Sequence, residues 1–186
     1  MRKDLGVKPY ILPMPVLIVS AYDENGNANA MNAAWGTICD MDKVLLVLTA
    51  GHKTTKNILS SKAFCVGTAN KINLAESDYV GIVSGNKTKD KIKNTGWMLE
   101  KSKFVNAPVI TSLPLSLECK LISYDTENEI LIGEIVNVSA DESIIEDDSV
   151  SIEKANPIVY DPTSHSYYTL GEKAGNAFSD GKKLIR

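Results

Sequence analysis

The chain has 186 residues, of which 44% are hydrophobic and 23% charged, with a formal net charge of −3. That length and balance suit a single domain over residues 1–186 with one sizeable core, and they exclude a disordered or fibrous chain. No basic block offsets the slight acidity, which argues against nucleic acid as a partner, and no apolar run approaches the roughly 20 residues of a membrane helix, so no membrane partner is expected either.

In chain order, Pro9, Pro13 and Pro15 break up the first apolar stretch, so no signal-peptide core is expected and the chain reads as cytoplasmic. Residues 15–22 (PVLIVSAY) read as a strand that stops at Asp23-Glu24-Asn25-Gly26-Asn27, where the Asn-Gly step favours a tight hairpin reversal. The returning strand, residues 28–35 (ANAMNAAW), is built from small and amide residues. Such a strand packs poorly as a sheet face but lets another group approach the backbone closely. Residues 43–50 (KVLLVLTA) are apolar on both faces, which predicts a central strand. Gly51-His52-Lys53-Thr54-Thr55 then leads into residues 56–61, a strand-to-helix turn with a Thr available as N-cap.

Residues 63–69 read as another strand, and the apolar spacing over residues 72–103 predicts two helices. Residues 115–124 and 129–140 alternate as strands around the polar turn Asp125-Thr126-Glu127-Asn128. The acidic stretch 141–154 reads as an exposed loop or surface helix, and residues 156–160 and 165–170 as two short late strands. Six or more strands with one helical insertion predict a mainly β fold, a closed or nearly closed β-barrel with helices at one end.

Three cysteines, Cys39, Cys65 and Cys119, form no C-x-x-C pair and are expected as reduced thiols, with Cys39 read as a small buried apolar residue in preference to a redox partner. His52 and His165 stand far apart without metal-ligand spacing, so no metal site is expected. Residues 81–88 (GIVSGNKT) look like a nucleotide-phosphate loop but have three residues between the glycines where four are required, and Asn86 separates Gly85 from Lys87. They also follow a helix-like segment rather than a strand. No Gly-rich dinucleotide fingerprint and no G-x-S-x-G elbow occur, so nucleotide hydrolysis and serine-hydrolase chemistry are not supported.

Two constellations remain. Thr49, Ala50, Gly51, Lys53, Thr54 and Thr55 gather hydroxyls and an ammonium where a strand hands over to a helix. The unpaired N–H groups and positive dipole end there suit an anion such as a phosphate; the alternative is a plain helix cap beside a solvated lysine. The second is Asn29, Ala30, Met31, Asn32 and Trp35, whose amides can bond a heterocycle's carbonyls and ring nitrogens while the small residues admit its flat face. Its alternative is a strand packed tightly on a helix with Trp35 as a core anchor.

Taken together, Pro13-Met14-Pro15-Val16-Leu17-Ile18-Val19-Ser20, then Asp23-Glu24-Asn25-Gly26, Asn29-Ala30-Met31 and Trp35 resemble the opening of the flavin reductase-like proteins, particularly the flavoredoxin branch. The resemblance continues through His52-Lys53-Thr54-Thr55-Lys56-Asn57-Ile58, Ala63-Phe64-Cys65-Val66, Ser84-Gly85 with Asp90-Lys91, and Ile132-Gly133-Glu134-Ile135-Val136. Residues 167–178 (YYTLGEKAGNAF) are similar to the family's C-terminal signature, so nearly the whole chain is covered in order.

The resemblance implies an FMN-binding split barrel of Greek-key type with a helical insertion, usually a homodimer with the cofactor near the subunit interface. It implies that the isoalloxazine lies against Asn29, Ala30, Met31, Asn32 and Trp35 and beside Thr49 and Ala50, and that Lys53, Thr54 and Thr55 hold the phosphate. Ser84, Gly85 and Lys91 are implied to close over the cofactor. The implied function is an oxidoreductase that moves electrons between NADH or NADPH, or a redox protein, and FMN, with no residue singled out as catalytic. One departure stands out: residues 128–131 (NEIL) lack the histidine that many flavin reductases carry before the Gly-Glu strand. A non-enzymatic FMN electron carrier is therefore the alternative.

Overall fold

In the computed structural model, which describes residues 1–185, a two-residue strand β1 (Met14–Pro15) precedes the expected hairpin of β2 (Leu17–Tyr22) and β3 (Ala28–Ala33). Its turn is organised by Asp23, whose Oδ1 accepts the N–H groups of Asn25 at 3.0 Å and Asn27 at 2.9 Å. Gly26 takes φ +80° there, a conformation it adopts without a Cβ clash.

A second hairpin, β4 (Gly36–Asp40) with β5 (Lys43–Val47), follows at once. The chain then forms α1 (Lys53–Ser61), β6 (Ala63–Thr68) and α2 (Leu74–Ile82). A small ribbon of β7 (Leu99–Lys101) and β8 (Pro108–Ile110) leads to the long hairpin of β9 (Leu115–Asp125) and β10 (Ile130–Ala140). Beyond it come β11 (Ile145–Glu146), β12 (Ser149–Val150), α3 (Ile152–Ala155), β13 (Ile158–Asp161) and β14 (Ser166–Thr169). Seven strands form the main sheet in the order β3-β2-β6-β9-β10-β5-β4, and β1, β13 and β14 form a three-stranded sheet.

The main sheet curls, because side chains from six of its strands meet in one inner cluster: Val19, Ala33, Leu46, Phe64, Cys119 and Leu131 are all buried together. Ile58 of α1, fully buried, joins the same cluster. Gly133 of β10 is required by this packing, since a Cβ there would stand 2.3 Å from Cζ of the buried Phe64 ring. Outside the curl, Ile18 and Ala30 pack against Val80, Trp97, Ile110 and Ile158, which fastens α2 and the insertion to the back of β2 and β3.

Four expectations are corrected. Residues 43–50 do not form a central strand: β5 lies second from the sheet edge, and its half-buried Leu45 and Val47 line a groove with Lys8, Pro9, Tyr10 and Ile11. Apolar character on both faces thus reflects an N-terminal segment alongside one face. Residues 72–103 hold one α-helix, α2, and a short 3-10 turn at Lys93–Thr95 that ends at Gly96 with φ +70°. No Thr caps α1; His52 stands at the N-cap without a side-chain bond, and Thr54 and Thr55 lie buried inside the helix. Cys39 is exposed on β4, as are Thr37, Ile38 and Asp40, rather than buried.

Candidate functional site

The two constellations meet in space at β3. Its alternation sends Asn29 toward α1 and Asn32 toward α2: Asn29 Nδ2 donates to Thr54 Oγ1 at 2.7 Å, and Asn32 Nδ2 donates to the Ser77 carbonyl at 3.1 Å. Between these anchors lies a cavity of about 290 Å³. Asn29, Met31, Asn32, Lys53, Thr54, Ser84, Gly85 and Lys91 all line it, so most of the expected site residues converge.

Close approach is built into the far wall. A Cβ on Gly85 would fall 2.3 Å from Asn29 Oδ1, and one on Gly81 would fall 3.1 Å from Asn32 Cβ. Asn86 Nδ2 donates to the Gly51 carbonyl at 3.0 Å, which ties this wall to the turn that enters α1. The segment that mimics a phosphate loop therefore contributes to the cavity, but from the end of a helix.

The electrostatics favour an anion. α1 has nine residues, no side-chain cap and no acidic residue in its first turn, which leaves the dipole's positive end uncompensated. Lys53 adds charge there, with Nζ 3.5 Å from Asp23 Oδ2. The N–H of Asn27 holds the Asp23 carboxyl below its ordinary range, so Asp23 stays ionised beside that lysine. Lys91 is 3% exposed, and its Nζ donates to the Val80 carbonyl at 2.7 Å at the end of α2. Burial lowers its pKa to about 8, and no carboxylate lies within ion-pair distance of it among the described residues. An anionic ligand would supply what this ammonium lacks.

The remaining expected residues lie elsewhere. Thr55 is fully buried behind the cavity, with an Oγ1 that has no hydrogen-bond partner. Ala30 is buried in the outer cluster. Thr49 Oγ1 and the Ala50 N–H both bond the Glu129 carboxylate, at 3.0 and 3.3 Å. Trp35 is 56% exposed and lines the groove of about 770 Å³ beside the N-terminal segment. Conversely, His52, Val80, Gly81, Ile82 and Val83 line the cavity without having been expected there. His52 stands in the strand-to-helix turn, and Gly81, Ile82 and Val83 in the false phosphate-loop pattern, but the sequence assigns none of them to the site.

Comparison with known proteins decides the family, because the sequence model of the flavin reductase like domain matches residues 10–167. The chain belongs to that family. The structure is similar to flavoredoxin of Desulfovibrio vulgaris (Miyazaki F), with TM-score 0.93 and 33% identity over 97% of this chain and 100% of that one. Flavoredoxin from Methanosarcina acetivorans matches with TM-score 0.90 and 25% identity, over 99% of this chain and 100% of that one. An FMN-binding domain of a flavin reductases-like enzyme from Shewanella baltica OS155 shares the fold at TM-score 0.79 and 24% identity, over 87% and 88% of the two chains. The curled sheet is thus the split barrel of flavin reductase-like proteins, and the family points to a flavin cofactor and a flavin-based redox role.

The residues present fit a flavin phosphate: an uncapped helix start, one lysine beside it and a buried lysine without a carboxylate converge on one cavity. Among the described residues no group of three or more His, Cys, Asp and Glu is placed to hold a metal. No helix among them is long and apolar enough to cross a membrane.

Proposed function

We propose that this protein is an FMN-binding flavoprotein oxidoreductase of the flavoredoxin and flavin reductase type, a single domain that moves electrons between a donor and FMN. The observation that carries the proposal is the convergence of Asn29, Asn32, Lys53, Thr54 and Lys91 on one cavity at an uncapped helix N-terminus. When bound, FMN supplies the redox chemistry, and the protein supplies position and electrostatics.

In this reading Lys53, Lys91 and the first-turn N–H groups of Thr54 and Thr55 hold the phosphate. Asn29 and Asn32 present amides to the ring's polar edge while Met31 and Ala30 keep that strand low. Ser84 and Gly85 bound the far side, and Thr49, Ala50 and Trp35 border the ring from the turn before α1 and the link between β3 and β4. A second copy of the chain over β4 completes the site as a homodimer. Its support is an edge strand exposed on both faces, with Ile38 55% exposed and Met41 in the turn just after it 96% exposed. We include cytoplasmic residence, consistent with three free cysteines.

Purification tests the reading: a yellow FMN spectrum that bleaches on addition of NADH or NADPH is the expected result, and a colourless chain that FMN cannot reconstitute overturns it. A specific observation favours a second reading, an FMN electron carrier that does not oxidise NAD(P)H directly. Residues 128–131 lack the histidine that many flavin reductases carry before the Gly-Glu strand, and Glu129 there is engaged by Thr49 and Ala50. Bleaching by dithionite but by neither pyridine nucleotide selects the carrier.

A further inference from the structure

The segment that bounds one side of the cavity carries more positive charge than an FMN phosphate requires. Residues 84–95 hold four lysines, Lys87, Lys89, Lys91 and Lys93, against the single aspartate Asp90, in a chain whose net charge is −3. Lys91 is buried in the cavity, but Lys87, Lys89 and Lys93 are exposed and do not line it. They are therefore not part of the cavity wall.

This segment is held at the rim rather than loose. Asn86 bonds the Gly51 carbonyl, Lys91 bonds the Val80 carbonyl, and Asn94 Nδ2 donates to Tyr79 Oη at 3.1 Å, which folds residues 84–95 back along the last turn of α2. Ile82 at that turn lines the cavity yet is 75% exposed. Of the nearby acids, Asp78 accepts from Tyr167 Oη at 2.9 Å, and Asp23 faces Lys53. An exposed apolar side chain at the cavity lip, followed in the same segment by three exposed lysines, has the composition of a transient docking surface, with a small apolar contact and a charged rim that steers the encounter.

We infer that residues 82–93 form a docking surface for an acidic one-electron carrier protein that delivers electrons to the flavin. The inference rests on the FMN reading of the cavity and names its partner. Each carrier is oxidised by one electron, so two encounters deliver the electron pair, and two protons from water complete the two-electron reduction of the bound flavin.

A plant-type ferredoxin, which is acidic and of low potential, serves as the probe. Binding of oxidised ferredoxin to the oxidised protein is measured by calorimetric titration between about 10 mM and about 300 mM salt, where the Debye length falls from about 30 Å to well under 10 Å. Two acidic proteins governed by net charge would bind better as salt rises; local attraction predicts that binding weakens about tenfold or more. The K87E/K89E/K93E variant, which leaves the cavity lining untouched, is expected to lose about tenfold or more in affinity and in the anaerobic rate of flavin reduction by ferredoxin, with FMN content unchanged. The salt series on the unaltered protein stands by itself should that variant fail to fold. Binding that ignores or improves with salt, or that is equal for the basic cytochrome c, overturns the surface. A chain that binds ferredoxin in the expected way but holds no FMN overturns the flavin reading and leaves the surface standing.

Discussion

Asn29 of β3 and Thr54 of α1 are joined by a 2.7 Å side-chain hydrogen bond, both side chains buried, and the same amide leaves no room for a Cβ on Gly85. One residue thus sets the distance between the sheet, the helix start and the insertion. Asn29→Ala leaves the Thr54 hydroxyl unpaired at a cost of about 1–3 kcal/mol, and Gly85→Ala pushes the insertion away from β3. Both variants are expected to bind FMN more weakly, and only Asn29→Ala to lower the unfolding midpoint by several degrees. Flavin-fluorescence quenching and thermal unfolding measure the two effects.

Lys91 gives the site a pH dependence with a definite sign. Its pKa falls from the ordinary lysine value of 10.5 to about 8 in the folded protein because burial disfavours the charged form. Between those values the unfolded chain binds more protons, so this group's contribution to the stability of the ligand-free protein rises with pH. A phosphate dianion acts in the opposite sense by favouring the ammonium, so FMN affinity is expected to fall as pH passes about 8. Lys91→Met should weaken binding by about tenfold to a hundredfold and abolish that pH limb. An unchanged limb in Lys91→Met would show that another group titrates.

The cysteines should separate cleanly by accessibility. Cys39 is exposed, whereas Cys65 and Cys119 are buried and desolvation raises both their pKa values. A chromogenic disulfide reagent is expected to titrate one thiol rapidly in the native protein and three after denaturation.

Glu118 is 3% exposed, with its carboxylate bonded by Asn137 Nδ2 at 2.7 Å and by the Ser102 hydroxyl. Ser102 Oγ in turn accepts the N–H groups of Phe104 and Val105, each at 2.9 Å, and so shapes the turn before β8. Ser102→Ala removes a donor from a buried carboxylate and should destabilise the fold by about 1–3 kcal/mol, read from denaturant unfolding.

Gly133→Ala tests the curl of the sheet. The added methyl would meet the Phe64 ring, which is fully buried and cannot swing into solvent. Overpacking of this kind costs about 1–3 kcal/mol, and the companion change Phe64→Leu should recover part of it.

Much of the fold was legible because its signals were local. The Asn25-Gly26 reversal and the alternation of β9 and β10 each write their structure into a few adjacent residues. β4 was not legible, since Gly36–Asp40 is exposed nearly throughout and carries no apolar alternation. The second helix expected in the insertion fails because Ile92 and Trp97 are buried five residues apart, a spacing that does not keep them on one helical face, and Gly96 ends the turn between them.

The site divided along the same line. Asn29, Asn32 and Lys53 were visible as polar residues where a plain strand or turn needs none. Val80 to Val83 could not be placed in the site from sequence, because only the packing of α2 and its following turn against β3 brings them to the cavity, and His52 reaches it only as the residue that opens α1. Trp35 does not line that cavity; it stands in a groove beside residues 8–11, a placement that its neighbours in sequence do not announce.

The strand order also dictates when this chain can finish folding. β3 and β4 are separated by only Ala34 and Trp35 yet stand at opposite edges of the sheet, and β5 finds its inner neighbour only when Val47 pairs with Ile130. At about 5–20 residues per second of synthesis, the first hairpins wait roughly 4–17 s for that partner to leave the ribosome. Through that interval the β4–β5 ribbon has only itself to pair with, so the nascent polypeptide carries an open edge until its C-terminal half emerges.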